Sequence, residues 1–142
     1  MEKERIVNDH YIPYRSAVED HIRNTLKANE ALIHISVHSF TPIMDGVVRN
    51  ADIGLLYDPQ RISEKHFAMA WSKAIRDQAT DLRVRMNYPY RGTADGFTTY
   101  LRRKFKKNYI GIELEVNQKW ATGSAMDNRV AELLIKSFRS VL

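Results

Sequence analysis

Two stretches decide the fold: Leu32-Ile33-His34-Ile35-Ser36-Val37-His38-Ser39-Phe40-Thr41-Pro42 and Ile110-Gly111-Ile112-Glu113-Leu114-Glu115-Val116. In the first, an apolar, β-branched run from Leu32 to Val37 breaks abruptly into polar residues, the pattern of a buried strand that feeds a loop. In the second, Ile110, Ile112, Leu114 and Val116 alternate with other residues, and their period of two predicts another strand. Between and around them the apolar spacing turns helical. Ala17, Val18, Ile22 and Leu26 predict a helix over Pro13 to Lys27, with Pro13 suited to a first turn. Phe67, Ala70, Trp71, Ala74 and Ile75 predict a second helix from Ser63, a candidate cap, to Gln78. Leu101 and Phe105 mark a short helix, and Val130, Leu133, Leu134, Phe138 and Val141 a closing one. Ile53 to Tyr57, and Leu82, Val84 and Met86, supply two more strands. Strands separated by helices imply right-handed crossovers and a mainly parallel α/β sheet covered on both faces.

The chain has 142 residues, 44% of them hydrophobic and 27% charged, with 6 Gly and 4 Pro. That length and balance fit a single domain over 1–142 and exclude collagen-like and disordered classes. Cysteine is absent, which removes disulfides, thiolate metal sites and a cysteine nucleophile, so any metal rests on nitrogen and oxygen. The charged opening Met1-Glu2-Lys3-Glu4-Arg5 and the lack of a long apolar run make a cytosolic protein without membrane association the default.

A net charge of +5 permits an anionic partner. Five of the six residues from Arg102 to Lys107 are basic. That cluster either grips phosphates or forms the solvated end of a helix that turns Leu101 and Phe105 inward, and the second reading is preferred. Nucleic acid is accordingly not an expected partner.

Open α/β sheets bind ligands outside the carboxyl ends of their strands. The segments expected there are His38 to Pro42, Asn87 to Gly92, and Glu115 to Gln118. They bring together a histidine, arginine and a carboxylate: residue types for a metal or base, an anion clamp and a proton shuttle. His34 and His38 lie four residues apart on a strand, or about 13 Å. One metal cannot take both from one chain, so His38 is the candidate ligand and His34 is expected to turn away from the cleft. Glu115, nearer the carboxyl end than Glu113, takes the proton-transfer role, and Glu113 is left a structural pairing. Arg91, before Gly92, presents a planar fork suited to a carboxylate, and Arg49 is a second candidate. Asp45 and Asp52 read as partners supporting the site or as turn formers, with Asp52-Ile53-Gly54 as a strand entry favouring the turn, and His10, His21 and His66 read as surface residues.

His38-Ser39-Phe40-Thr41-Pro42, Arg49 with Asp52-Ile53-Gly54-Leu55-Leu56-Tyr57, Asn87-Tyr88-Pro89-Tyr90-Arg91-Gly92, and Ile112-Glu113-Leu114-Glu115 with Gln118 stand in an order that resembles the N-formylglutamate amidohydrolase family. The resemblance implies a three-layer α/β/α sandwich of the kind found in zinc carboxypeptidases and aspartoacylases. It also implies a zinc-assisted hydrolase that removes a small acyl group from an acidic N-acyl amino acid. In that frame His38 matches a metal ligand, Glu115 the catalytic glutamate, and Arg91 or Arg49 anion-binding positions; Asn87 and Tyr90 join them as substrate contacts. The family's amino-terminal segment, with a Pro-His-Gly type ligand motif, has no counterpart before Leu32. Zinc commonly takes three protein ligands, so the expectation is a partial domain whose site is completed by a homo-oligomer or a partner. The alternatives are a catalytically incomplete binding or oligomerisation module and, less favoured, a phosphate or nucleic-acid binder.

Overall fold

The protein is described by a computed structural model covering residues 2–142. Helix α1 (Glu2–Ile6) runs through a π-helical turn (Val7–Tyr11) into α2 (Ile12–Ala28), followed by β1 (Leu32–Phe40) and a hairpin of β2 (Ile43–Met44) and β3 (Val47–Val48). Then come β4 (Ile53–Leu56), α3 (Ile62–Gln78), β5 (Val84–Met86), α4 (Phe97–Lys104) and β6 (Tyr109–Asn117). A short 3-10 turn (Gln118–Trp120), a second hairpin of β7 (Ala121–Thr122) and β8 (Ala125–Met126), and α5 (Asn128–Arg139) close the chain.

The main sheet has the order β1-β6-β4-β5. β1 lies parallel to β6 from Leu32 opposite Tyr109 to Phe40 opposite Asn117, and β4 lies parallel to β5. β4 and β6 run antiparallel, with Gly54 opposite Glu115. The sheet is therefore mainly parallel, as the alternation of elements predicts. Its strands nevertheless point two ways, so the carboxyl end of β5 lies at the edge opposite the carboxyl ends of β1 and β6.

Side-chain parity sorts the sheet into two faces. Ile53, Leu55, Ile112, Leu114 and Val116 pack with Phe67, Trp71 and Ile75 of α3 and with Val130 and Leu134 of α5. Within that layer the Trp71 indole N–H donates to Ser137 Oγ at 3.0 Å, so the polar edge of a buried ring is satisfied. On the other face Ile22 of α2, Leu101 of α4 and Tyr109 of β6 form a second cluster with Val18, Leu26, Phe97 and Phe105. Helices on both faces give the three-layer α/β/α sandwich.

Several local expectations are corrected. β1 runs on through His38 and Ser39 to Phe40, because its parallel partner β6 extends equally far. The α3 cap position is Arg61, with no side-chain cap bond, so Ser63 lies inside the helix. Asp45-Gly46 is the tip of the β2–β3 hairpin, both residues at positive φ (50° and 76°), the geometry for which Asp-Gly is suited. The basic cluster is not uniformly solvated. Arg102 is 5% exposed; its Nε donates to the fully buried Glu64 carboxylate at 3.0 Å, and its other nitrogens donate to the carbonyls of Gly92 and Gly111. Lys104 pairs with Glu19. Two of the cluster's five cations are thus paired within the chain.

Candidate active site

Glu115 is the Cα register partner of His38 on β1 and of Gly54 on β4. Directly opposed residues on neighbouring strands point to the same face, so the histidine and the carboxylate stand side by side. Because β6 is an interior strand, Glu115 is 5% exposed, and its Oε2 is buried without a hydrogen-bond partner. Burial pushes the Glu115 carboxyl above the ordinary carboxylate range; His38 opposes that shift, Glu113 adds to it, and Arg49 opposes it. A buried carboxyl with an idle oxygen and an elevated pKa has the properties of a proton-transfer group. Glu113 shares this face one row below, between Ser36 and Leu56. It makes no ion pair among the described residues, which corrects the expected structural pairing.

The loop after β5 must turn back to reach this face. Tyr88 lays its carbonyl oxygen 2.0 Å from where a Cβ on Gly54 would sit, so only glycine admits it. Gly92 approaches the Tyr57 backbone just as closely, with atoms 2.3 Å from an added Cβ. Asn87, at φ 49°, holds the loop shut: its Oδ1 accepts the N–H groups of Tyr57 and Gly92, both at 3.0 Å. The Tyr88-Pro89 peptide is cis.

Tyr90 carries the loop to the carboxyl end of β1 and β6. Its hydroxyl accepts from Arg49 Nη1 at 3.0 Å, and the guanidinium lies 5.1 Å from the Tyr90 ring centre and 6.0 Å from that of Phe40. Arg49 is thus held where its charge reaches Glu115. Arg91 is exposed and joins none of these groups; the adjacent Gly92 shares Arg102 with Gly111, four residues before Glu115 on β6. The fold therefore brings His38, Glu115, Arg49 and Tyr90 together, commits the Asn87 oxygen to the loop, and leaves Arg91 apart. Asp52 is more than a turn former. Its carboxylate accepts Arg83 N–H at 2.7 Å and Trp120 Nε1–H at 2.8 Å and pairs with Lys119, fastening β4 to the segment after β6.

His34 contradicts the expectation that it turns away. Four residues along a strand preserve parity, so it lies on the same face as His38, farther from the carboxyl end. Its Nδ1 meets the Tyr109 hydroxyl at 2.7 Å. Burial, reinforced by the Arg102 charge, holds the imidazole below its ordinary pKa and keeps it neutral near pH 7. His38 Nε2 meets Ser36 Oγ at 2.9 Å. No group of three His, Asp or Glu side chains that could hold a metal occurs among the described residues. A 730 Å³ cavity at the carboxyl ends of β1 and β6 is lined by His38, Ser39, Asn117, Gln118 and Trp120, with the β7–β8 hairpin as its far wall. Sequence reading passed over Tyr88, Ser36 and the Glu64–Arg102 pair; parity along β1 was the available signal for His34.

The family model for N-formylglutamate amidohydrolase matches residues 1–121. The chain belongs to the N-formylglutamate amidohydrolase family. An N-formylglutamate amidohydrolase from Ralstonia eutropha JMP134 has a similar structure, with a TM-score of 0.74 at 17% identity, covering 99% of this chain and 53% of that one. A gene product from Agrobacterium tumefaciens matches with a TM-score of 0.68 at 22% identity over 99% of this chain and 56% of that one. No curated protein matches. This member of the N-formylglutamate amidohydrolase family thus spans about half the length of the solved structures it resembles, and at these identities the likeness is one of fold. No helix among its described residues is long and apolar enough to cross a membrane.

Proposed function

We propose that the chain forms the carboxylate side of an amidohydrolase site that removes a small acyl group, formyl foremost, from an acidic N-acyl amino acid. The observation that carries this reading is the buried Glu115 carboxyl, with its unpartnered Oε2, beside His38 and within the field of Arg49. Glu115 takes a proton from the attacking water and delivers it to the amide nitrogen as the C–N bond breaks; an elevated pKa serves both halves of that transfer. Arg49, braced by Tyr90, is placed to receive the substrate carboxylate, and Arg91 is a second, outlying cation for it. His38, held by Ser36, positions the water or the scissile carbonyl.

Zinc, which the resemblance implies, does not fit a site made by this chain's described residues alone. They bring together one histidine and one carboxylate where catalytic zinc commonly takes three protein ligands, and no step here runs through a metal. That shortfall, with the open edge of β1, favours a second reading in which the chain is a binding or oligomerisation module of the same fold. The two readings part on formate release from N-formylglutamate by the purified protein. Turnover that falls at least about a hundredfold in Glu115→Gln, with KM raised in Arg49→Met, supports hydrolysis. Equal rates for wild type and Glu115→Gln would remove the proton-transfer role.

A further inference from the structure

Arg102 of α4 and Arg61, just before α3, share one carboxylate. Glu64 is fully buried; Arg102 Nε lies 3.0 Å from its Oε2 and Arg61 Nε 3.0 Å from its Oε1, and the two arginine side chains are 5% and 20% exposed. Two cations on one anion leave a net positive charge in a largely buried place, where an uncompensated charge is costly. The Arg61 contact is the poorer of the two. Its Nε–H is close to the carboxylate without the alignment of a hydrogen bond, and it finds no other acceptor among the described residues.

Both arginines line a 350 Å³ cavity that Arg103, Lys106, Thr93 and Asp58 also border. Arg103 and Lys106 are exposed and make no ion pair among the described residues. The Thr93 hydroxyl has no partner there either, whereas Thr99 donates its proton to the Ala94 carbonyl at 2.7 Å. Of the two carboxylates, Glu64 is engaged by the arginines, and Asp58 accepts the Gln60 N–H at 3.0 Å. Four cations against two carboxylates leave two positive charges in excess. The cavity lies past the carboxyl end of β4 and at the start of β6, where Arg61 donates to the Tyr109 carbonyl at 2.7 Å. Tyr109 stands six residues before Glu115 on β6, or about 20 Å, so this cavity is separate from the one at the carboxyl ends of β1 and β6.

We propose that this cavity binds a phosphate group, free or carried on a small molecule, with Arg61, Arg103 and Lys106 as its cations and Thr93 as a neutral donor. A phosphate monoester carries about −1.5 to −2 charge at pH 7, which matches the two charges in excess; a single carboxylate would leave one unmet. Its three terminal oxygens accept from several directions at once. That suits donors spread over the turn before α3, the loop before α4, α4 itself and the segment after it. Arg102 remains with Glu64 and the Gly92 and Gly111 carbonyls, and so holds the shared carboxylate in place. A cavity of this size also admits the organic part of a small phosphomonoester. None of its lining residues is aromatic, and single-stranded nucleic acid is held by stacking its bases on aromatic rings. A small phosphate is therefore the ligand in preference to a polynucleotide.

Titration calorimetry of the purified protein with inorganic phosphate and with glycerol phosphate tests the site. One phosphate per chain is expected. Equal affinities support free phosphate as the ligand, and tighter binding of glycerol phosphate supports a phosphomonoester. The double variant Arg103→Gln with Lys106→Gln changes two exposed side chains, so it should keep the melting temperature while affinity falls at least about tenfold. Lys107→Gln, in the same basic run but outside the cavity, should change affinity by less than about twofold at physiological salt. Asp58→Asn removes a like charge and should tighten binding. No binding of either probe at millimolar concentration, unchanged affinity in the double variant, an equal loss in Lys107→Gln, or weaker binding by Asp58→Asn would overturn the site. A short oligonucleotide that binds more tightly than either probe, with affinity falling steeply in salt, would overturn the small ligand. All of these are read without an amide substrate, so failure here is distinct from failure of the proposed hydrolysis.

Discussion

The Tyr88 carbonyl oxygen occupies the space where a side chain on Gly54 would begin, 2.0 Å from an added Cβ. That contact lets the loop after β5 lie across the sheet and deliver Tyr90 to Arg49. Gly54→Ala is expected to lift the loop, lowering stability by about 1–3 kcal/mol and weakening Arg49 positioning. Denaturant titration and KM for N-formylglutamate check this; an unchanged midpoint and KM would mean that the loop yields freely.

Arg102 and Glu64 form a buried pair with every strong donor and acceptor engaged, Glu64 also accepting the N–H groups of Asp58 and Gly111. Arg102→Ala leaves Glu64 with Arg61 alone, whose Nε lies 3.0 Å from Oε1, strips the Gly92 and Gly111 carbonyls of their donor, and should destabilise the fold by roughly 1–3 kcal/mol. The double variant Arg102→Met with Glu64→Gln should lose less than the sum of the single changes, as seen in urea midpoints.

Glu115 gives a pH signature of opposite sign to ordinary acid denaturation. Its folded pKa lies above its unfolded value near 4.5, so its contribution to stability is present below that value and is lost as pH rises through the folded pKa. Glu115→Gln should therefore melt at a higher temperature than wild type at pH 7. The gap should close as the pH approaches 4.5. A gap that widens on acidification would contradict the raised pKa.

Asn87 combines positive φ with two hydrogen bonds from one oxygen. Asn87→Gly keeps the backbone geometry and loses the bonds, whereas Asn87→Ala loses both, so alanine should cost about 1 kcal/mol more than glycine. Equal thermal shifts for the two variants would show that the backbone conformation carries no weight.

Periodicity alone exposed the helices from α2 onward and the two long strands, because burial on a known face leaves a period of 3.6 or 2 in the residues; α1 buries no residue and leaves no such trace. Strand direction leaves no such trace: β4 and β6 have the same alternation whether they run parallel or antiparallel. The convergence of His38 and Glu115 was legible, since both lie near the carboxyl ends of strands that point one way. The reach of Tyr90 to Arg49 was not, because it depends on two close backbone approaches, at Gly54 and Gly92, whose glycines resemble any loop glycine in sequence. Arg102 was misplaced for a similar reason. Its partner Glu64 is 38 residues away in sequence, and no local pattern connects them.

The register of β1 also governs how the chain is made. Leu32 pairs with Tyr109 and Phe40 with Asn117, each 77 positions apart in sequence. At roughly 5–20 residues per second on the ribosome, β1 waits about 4–15 s for the strand that secures it. Throughout that interval an uncharged, nine-residue β-prone segment is exposed. The nascent chain is thus most vulnerable to aggregation before β6 emerges, and slow synthesis or a scarcity of chaperones should reduce its soluble yield more than changes at the surface of the finished fold.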